Sequence, residues 1–264
     1  MDITTIIGII AGILALFLGF LWEGGHAGSL FEKTALLIVL GGTFAAVAVS
    51  FPAALLRQIP DALRHAFRRP KIDPEARIEK MVEMATVARR QGVLALENAT
   101  NEIEDPFLRN GLLMVVDGTD PELTKQILEM EIDALERKRE QQAKIFEAAG
   151  GYAPTMGIVG TVMGLIHVLS NLSDPGSLGP SIAVAFTATL YGVASANIIY
   201  LPLASKIKSA SSEQILFMEM MLEGILALQA GENPQLIRKK LTSFMSIEQD
   251  ITMTKKVSAD AKEE

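Results

Sequence analysis

Thr161 and Thr189 hold the clearest chemical potential in this chain of 264 residues. Each stands midway along an apolar stretch, Gly151 to Leu169 and Ser181 to Leu203, that contains no Asp, Glu, Lys or Arg. A threonine hydroxyl can ligate a cation or pass a proton, but it carries no charge of its own at neutral pH. Either threonine alone is explained by a bond to its own helix backbone. Together they read differently. Thr161 shares a helical stripe with Gly157 and Gly164, and Thr189 shares one with Ala185, Gly192 and Ala196. Two hydroxyl-bearing, small-residue stripes suit the wall of a path whose charge comes from another chain. A relay through a bilayer normally needs an ionisable side chain at depth, and these spans hold no Asp, Glu, Lys or Arg, with His167 toward the outer end of the first.

Other chemistry is excluded more directly. The chain has no cysteine, which removes disulfides, thiolate metal sites and thiol nucleophiles. Its three histidines are far apart, no His/Asp/Glu cluster has metal-ligand spacing, and the glycines fit neither a P-loop nor a dinucleotide fingerprint. We therefore expect no enzyme, no cofactor and no metal site. A formal charge of −7 argues against nucleic acid as a partner.

The hydroxyls must be positioned by membrane helices. With 49% apolar residues, the chain carries four near-continuous apolar runs: Ile3 to Leu21, Thr34 to Phe51, and the two stretches above. Each has about the ~20 residues that cross a bilayer core. The first has no positive n-region and is longer than a signal-peptide core, so it reads as a retained helix. Of 24 Lys and Arg, only Lys33 lies in the links Trp22–Lys33 and Ser173–Pro180. By the positive-inside rule both termini are cytoplasmic and both links face outward. Gly8 and Gly12 permit close helix approach, Trp22 suits an interfacial anchor, and His26 faces water. The basic cluster Arg64 to Arg69 suits anionic headgroups or a stop-transfer role. His167 reads as a polar contact near the interface.

Between the second and third spans the pattern is helical throughout. Asp73-Pro74-Glu75, Asp105-Pro106 and the capping box Thr119-Asp120-Pro121-Glu122 mark helix starts. The last of these is expected to run almost unbroken into the third span. Ser211 to Ala230 reads as a further amphipathic helix, with a shorter one after Pro234. The expected organisation is 1–51 (spans one and two), 52–149 (cytoplasmic helical domain), 150–203 (spans three and four), 204–248 (C-terminal cytoplasmic helices) and 249–264 (disordered tail). The fold class is all-α, a polytopic membrane protein with four transmembrane helices and a cytoplasmic helical domain.

This layout resembles the MotA/PomA family of flagellar motor stator proteins over about residues 1–248. Four motifs carry the resemblance, in the family's order. They are Pro154 within Gly151-Tyr152-Ala153-Pro154-Thr155-Met156-Gly157; Thr189-Leu190-Tyr191-Gly192 followed by Leu201-Pro202-Leu203-Ala204-Ser205-Lys206; Ala88 to Glu97; and Glu223-Gly224-Ile225 with Gly231-Glu232-Asn233-Pro234. The resemblance implies a homopentamer in the bacterial inner membrane, around the paired helices of a MotB-type one-span partner. That partner supplies the membrane aspartate and the peptidoglycan anchor. Ion flow at the aspartate would turn the ring against the rotor protein FliG and so drive motility and chemotaxis. Thr161, Thr189 and Ala188 would then line the ion path, Pro154 and Pro202 would couple ion passage to movement, and Arg89, Arg90 and Glu97 would meet the rotor. Sodium-type relatives carry paired threonines in the fourth helix. Ala188 in place of the first favours protons, with a Na⁺-driven PomA-type stator as the alternative. An ExbB/TolQ-like energiser is the other alternative, which four spans and a cytoplasmic N-terminus disfavour. A self-contained channel would need a buried ionisable group.

Overall fold

Among the described residues of the computed structural model, 3–67, 73–100, 103–170 and 175–244, every regular element is helical. The tail expected at 249–264, and Arg68 and Arg69 of the basic cluster, lie outside them. Four helices are long and apolar enough to cross a membrane. Helix α1 is Ile3–Trp22. Helix α2 (residues 33–50) starts at Lys33–Leu36, widens into a π-type turn at Leu37–Gly41 and resumes as Gly42–Ser50. It stops because Phe51 turns extended (φ −126°, ψ 142°) ahead of Pro52, the conformation a residue before proline prefers.

The helices that follow have simple local causes. A turn at Ala53–Leu56 leads to α3, Ile59–Phe67. Helix α4 (Pro74–Gln91) is capped by Asp73, whose carboxylate accepts from Ala76 N, and ends at Gly92, whose φ of +87° favours glycine. Val93–Ala95 forms a 3₁₀ turn before α5 (Leu96–Thr100). Asp105 caps α6 (Pro106–Val116) through Phe107 N and Leu108 N.

Helix α7 spans Pro121–Ser170 without interruption. The sequence suggested a capping box on Thr119; instead the Asp120 carboxylate takes the cap, accepting from Glu122 N at 3.0 Å and Leu123 N at 3.3 Å. Three Asp-Pro pairs thus share one solution, an acceptor on the N-cap followed by a first-turn residue with no N–H to satisfy.

Helix α8, Pro175–Ser195, begins inside the stretch read as a polar link, with Pro175 as a favourable first-turn residue, and it continues through Gly179 and Pro180. A second π-type turn, Ala196–Tyr200, joins it to α9, Leu201–Gln229. The amphipathic helix read as Ser211 to Ala230 is therefore continuous with the end of the fourth span. Pro202 sits in the first turn of α9, where its missing N–H costs little. Gly231 (φ +70°) ends the run, and α10 follows at 234–244.

The described residues form two compact units, one of 3–67, 137–170 and 175–211, the other of 73–100, 103–136 and 212–244. The second unit has a methionine-rich core in which Met81, Met84, Met220 and Met221 are buried with Leu112, Leu128, Ile225 and Ile237. Thioether side chains fill irregular gaps well. At its edge Arg77 pairs with Asp105 at 2.5 Å and stacks 5.0 Å from the Phe217 ring centre. In the first unit, Ala62 and Ala66 of α3 pack with Ala143, Phe146 and Ala149 of α7 and Leu203, Ala204 and Ile207 of α9.

Candidate functional site

The α7–α8 seam is made of small residues because the two backbones nearly touch. A methyl group in place of the Gly192 hydrogen would lie 2.5 Å from the Ala153 carbonyl oxygen; one at Gly157 would lie 2.9 Å from that of Ala188. Neither position has room for a side chain. Farther along, Gly164 faces Ala185 and Gly160 faces Ala188. Such close approach maximises dispersion contacts, which drive helix pairing where lipid is as apolar as the helices.

Thr161 and Thr189 lie on this seam, and the structure brings them together. Their hydroxyls share a short hydrogen bond. Thr161 Oγ also lies 2.9 Å from the Ala185 carbonyl across the seam and 3.1 Å from the Gly157 carbonyl of its own helix. Both side chains are partly exposed. The arrangement gathers hydroxyl and carbonyl oxygens at one point, which can ligate a cation or hand on a proton but cannot titrate. The charge has to come from elsewhere.

Ala188 is placed differently. It is fully buried, packed against Gly160 and among Ala35, Val39 and Tyr191. Its Cβ serves helix packing within the chain. Pro154 lies inside α7 and has no N–H for the Gly150 carbonyl. Gly150 in turn is pressed against Leu201, one residue before Pro202. The two prolines therefore flank one contact between α7 and α9. His167 borders a cavity of about 460 Å³ beside Gly160 and Gly164, with Thr34 and Ser181 on the same wall.

Arg89 and Arg90 occupy the exposed last turn of α4, and Glu97 the exposed first turn of α5. All three flank the Gly92 turn, where Leu94 stands 70% exposed. The sequence reading did not single out Leu94.

Two other features were not singled out from sequence. The Tyr191 hydroxyl donates to the Leu30 carbonyl and accepts from Glu32 N at 3.1 Å, tying the first link to α8. On α3, Asp61 accepts from Gln142 and Arg139, both at 3.1 Å, and pairs with Lys138 at 3.1 Å. The Gln142 hydrogen bond holds the Asp61 carboxyl below its usual value, against some desolvation and with help from Lys138 and Arg139. Burial pushes the neighbouring His65 down to about 4, aided by the charges of Arg139 and Lys138 and opposed by Asp61. Partners so far apart in sequence leave no local pattern to find.

Comparison with known proteins agrees with this geometry. Residues 6–92 match the motility protein A N-terminal model, and residues 99–220 match the MotA/TolQ/ExbB proton channel family. Motility protein A of Bacillus subtilis is 38% identical, covering 93% of this chain and 91% of its own length. Chemotaxis protein PomA of Vibrio alginolyticus is 34% identical over 93% of this chain and 96% of its own. The flagellar MotAB stator complex from Bacillus subtilis superposes with a TM-score of 0.88 at 36% identity, covering 96% of this chain and 99% of that one. Four apolar helices, a small-residue seam bearing two hydroxyls, and similarity along nearly the whole chain place it in the MotA/PomA family of flagellar motor stator proteins.

Proposed function

We propose that this chain is the stator subunit that couples proton flow across the inner membrane to torque on the flagellar rotor. It would act with a MotB-type one-span partner that supplies the membrane aspartate. The observation that carries this reading is the joined Thr161–Thr189 pair on a seam with no ionisable group at its depth. Such a wall stabilises an ion passing a partner's carboxylate without trapping it. The assembly proposed is a pentameric ring around a partner dimer, as the family resemblance implies.

The distribution of Lys and Arg supports cytoplasmic termini and a second unit on the cytoplasmic side. Arg89, Arg90 and Glu97, with exposed Leu94 between them, then form the face that meets FliG. Pro154 and Pro202, at the Gly150–Leu201 contact, are the points where ion passage bends α7 against α9. Proton influx into vesicles containing this chain and its partner tests the proposal. Influx should require both chains and vanish when the partner's membrane aspartate is replaced by asparagine. Influx through this chain alone would overturn it.

A further inference from the structure

We propose that the cavity beside His167 is a water-filled entrance through which protons reach the depth of Thr161 from the outer face of the membrane. The inference rests on the proton-coupled reading above and adds the route in. Three helices of the first unit, α2, α7 and α8, enclose the cavity, which measures about 460 Å³.

Its polar groups gather at one end. Thr34 stands in the first turn of α2, His167 in the last turn of α7, and Ser181 directly follows the link at 173–180. Each therefore lies next to a link that the distribution of Lys and Arg places outside. His167 is the only basic side chain in the third and fourth spans. Ionisable groups in membrane spans are rare, and they face a bundle interior or a water-filled space. A cavity holds water where it is both polar and roomy. This one draws polar side chains from three helices and has many times the ~10–15 Å³ that one water needs.

The other end lies at the level of the hydroxyl pair. Gly160 and Ile38 line it there. A methyl group on Gly160 would lie 3.5 Å from the Ile38 side chain and 2.6 Å from Ala188, so the cavity stops against the α7–α8 seam. The helix from His167 down to Gly160 is about 10 Å long, roughly a third of a ~30 Å hydrocarbon core. Gly160 is the chain neighbour of Thr161. Water in the cavity thus shortens the dry part of the path by that third, and beyond it stands the seam that carries the pair. His167 is a positioning residue. Its ring offers one donor and one acceptor nitrogen, which hold water at the mouth.

The test uses the full chain together with its partner in intact cells. Because the chain has no cysteine, single cysteines report water directly: the reactive species is the thiolate. Ile38→Cys and Val184→Cys place thiols below the mouth, on α2 and α8. Both should be labelled by a charged, membrane-impermeant methanethiosulfonate added outside, read as a mass shift of the purified chain. Leu37→Cys, at the depth of Ile38 but off the cavity wall and 75% exposed, should be labelled several-fold more slowly. His167→Leu should slow both the labelling of Ile38→Cys and proton influx into vesicles several-fold, and His167→Gln, which still binds water, should restore both. Failure of both deep cysteines to react, equally fast labelling of Leu37→Cys, or unchanged labelling in His167→Leu would overturn the entrance. None of these results touches the stator reading, which fails instead if vesicles containing the wild-type chain and its partner take up no protons.

Discussion

The hydroxyls of Thr161 and Thr189 meet across the α7–α8 seam, and Thr161 also reaches the facing backbone at Ala185. A threonine has one proton to give. The Thr161 hydroxyl reaches backbone carbonyls on both helices, Ala185 and Gly157, as well as the Thr189 hydroxyl, so the two residues are not equivalent. Thr161 joins the helices, while Thr189 depends on the join.

That asymmetry separates structure from function. Thr161→Val keeps the shape but removes the interhelix bonds, and should cost about 0.5–1.5 kcal/mol of stability for each along with motility. Thr161→Ser should restore both. Thr189→Val removes one hydrogen bond across the seam where Thr161→Val removes two, so it should lower the melting temperature of the detergent-solubilised protein by less, yet abolish swimming. Equal melting losses in the two valine variants would mean the pair serves packing alone.

Gly192 tests the backbone contact itself. Gly192→Ala must displace the Ala153 carbonyl, so α7 and α8 should separate, with a loss in the ~1–3 kcal/mol range of an overpacked core. Gly151→Ala is the control on α7. A methyl there meets nothing within 4 Å in the chain, and alanine favours the helix. Thermal unfolding of both variants decides the matter; a stable Gly192→Ala protein would refute the close approach.

The span positions were legible in the sequence because length and apolarity alone decide them. The Thr161–Thr189 pairing was half legible: the stripes showed in the spacing, but the register that joins them is set by Gly157 and Gly192 meeting carbonyls on the opposite helix. Ala188 shows the limit. A residue's neighbour in sequence says which side of a helix it faces, not whether another helix covers it, and Ala188 is covered by Gly160 and α2. The helix starts at Asp73 and Asp105 followed from local chemistry. The continuity of α7 was anticipated from the absence of a breaker, whereas the π turn at Ala196–Tyr200 left no sequence mark.

His65 should make the fold acid-sensitive. Its folded value of about 4 lies below the ordinary 6.5, so between these pH values the unfolded chain binds a proton that the folded chain refuses. Stability therefore falls as pH drops from 6.5 toward 4. The groups facing His65 act in known directions: Arg139 and Lys138 lower its value and Asp61 raises it. Asp61 contributes separately. Its lowered value stabilises the fold above 3.8, and that contribution is lost as pH falls below. Melting temperatures of His65→Gln should be flat from pH 6.5 to 4.5, where the wild type declines. A wild type equally flat over that interval would contradict the assignment.

The charges beside the Gly92 turn should act on a partner and not on the fold. Arg89 and Arg90 are exposed, and surface substitutions of this kind usually shift stability by less than about 0.5 kcal/mol. Arg89→Glu should abolish swimming while leaving assembly and melting temperature intact; Leu94→Ser should weaken swimming through lost apolar contact. A double variant that restores the charge on the partner surface should recover rotation. If Arg89→Glu cells swim normally, this face does not engage the rotor.

Ala188→Thr addresses the ion. If the fourth helix lacks only one hydroxyl of a sodium site, restoring threonine there should create or strengthen sodium dependence. The geometry predicts otherwise. The Ala188 side chain is fully buried against Gly160, Ala35 and Val39, so two added heavy atoms enter filled space and should cost about 1–3 kcal/mol. A carbonyl-and-hydroxyl cluster centred on Thr161 and Thr189 remains the same with or without them. Ala188→Thr should therefore assemble poorly and gain no response to sodium, while wild-type cells held at fixed membrane potential should swim equally well when sodium is replaced by potassium. Swimming that stops on that replacement would assign the Thr161–Thr189 oxygens to sodium instead of a proton.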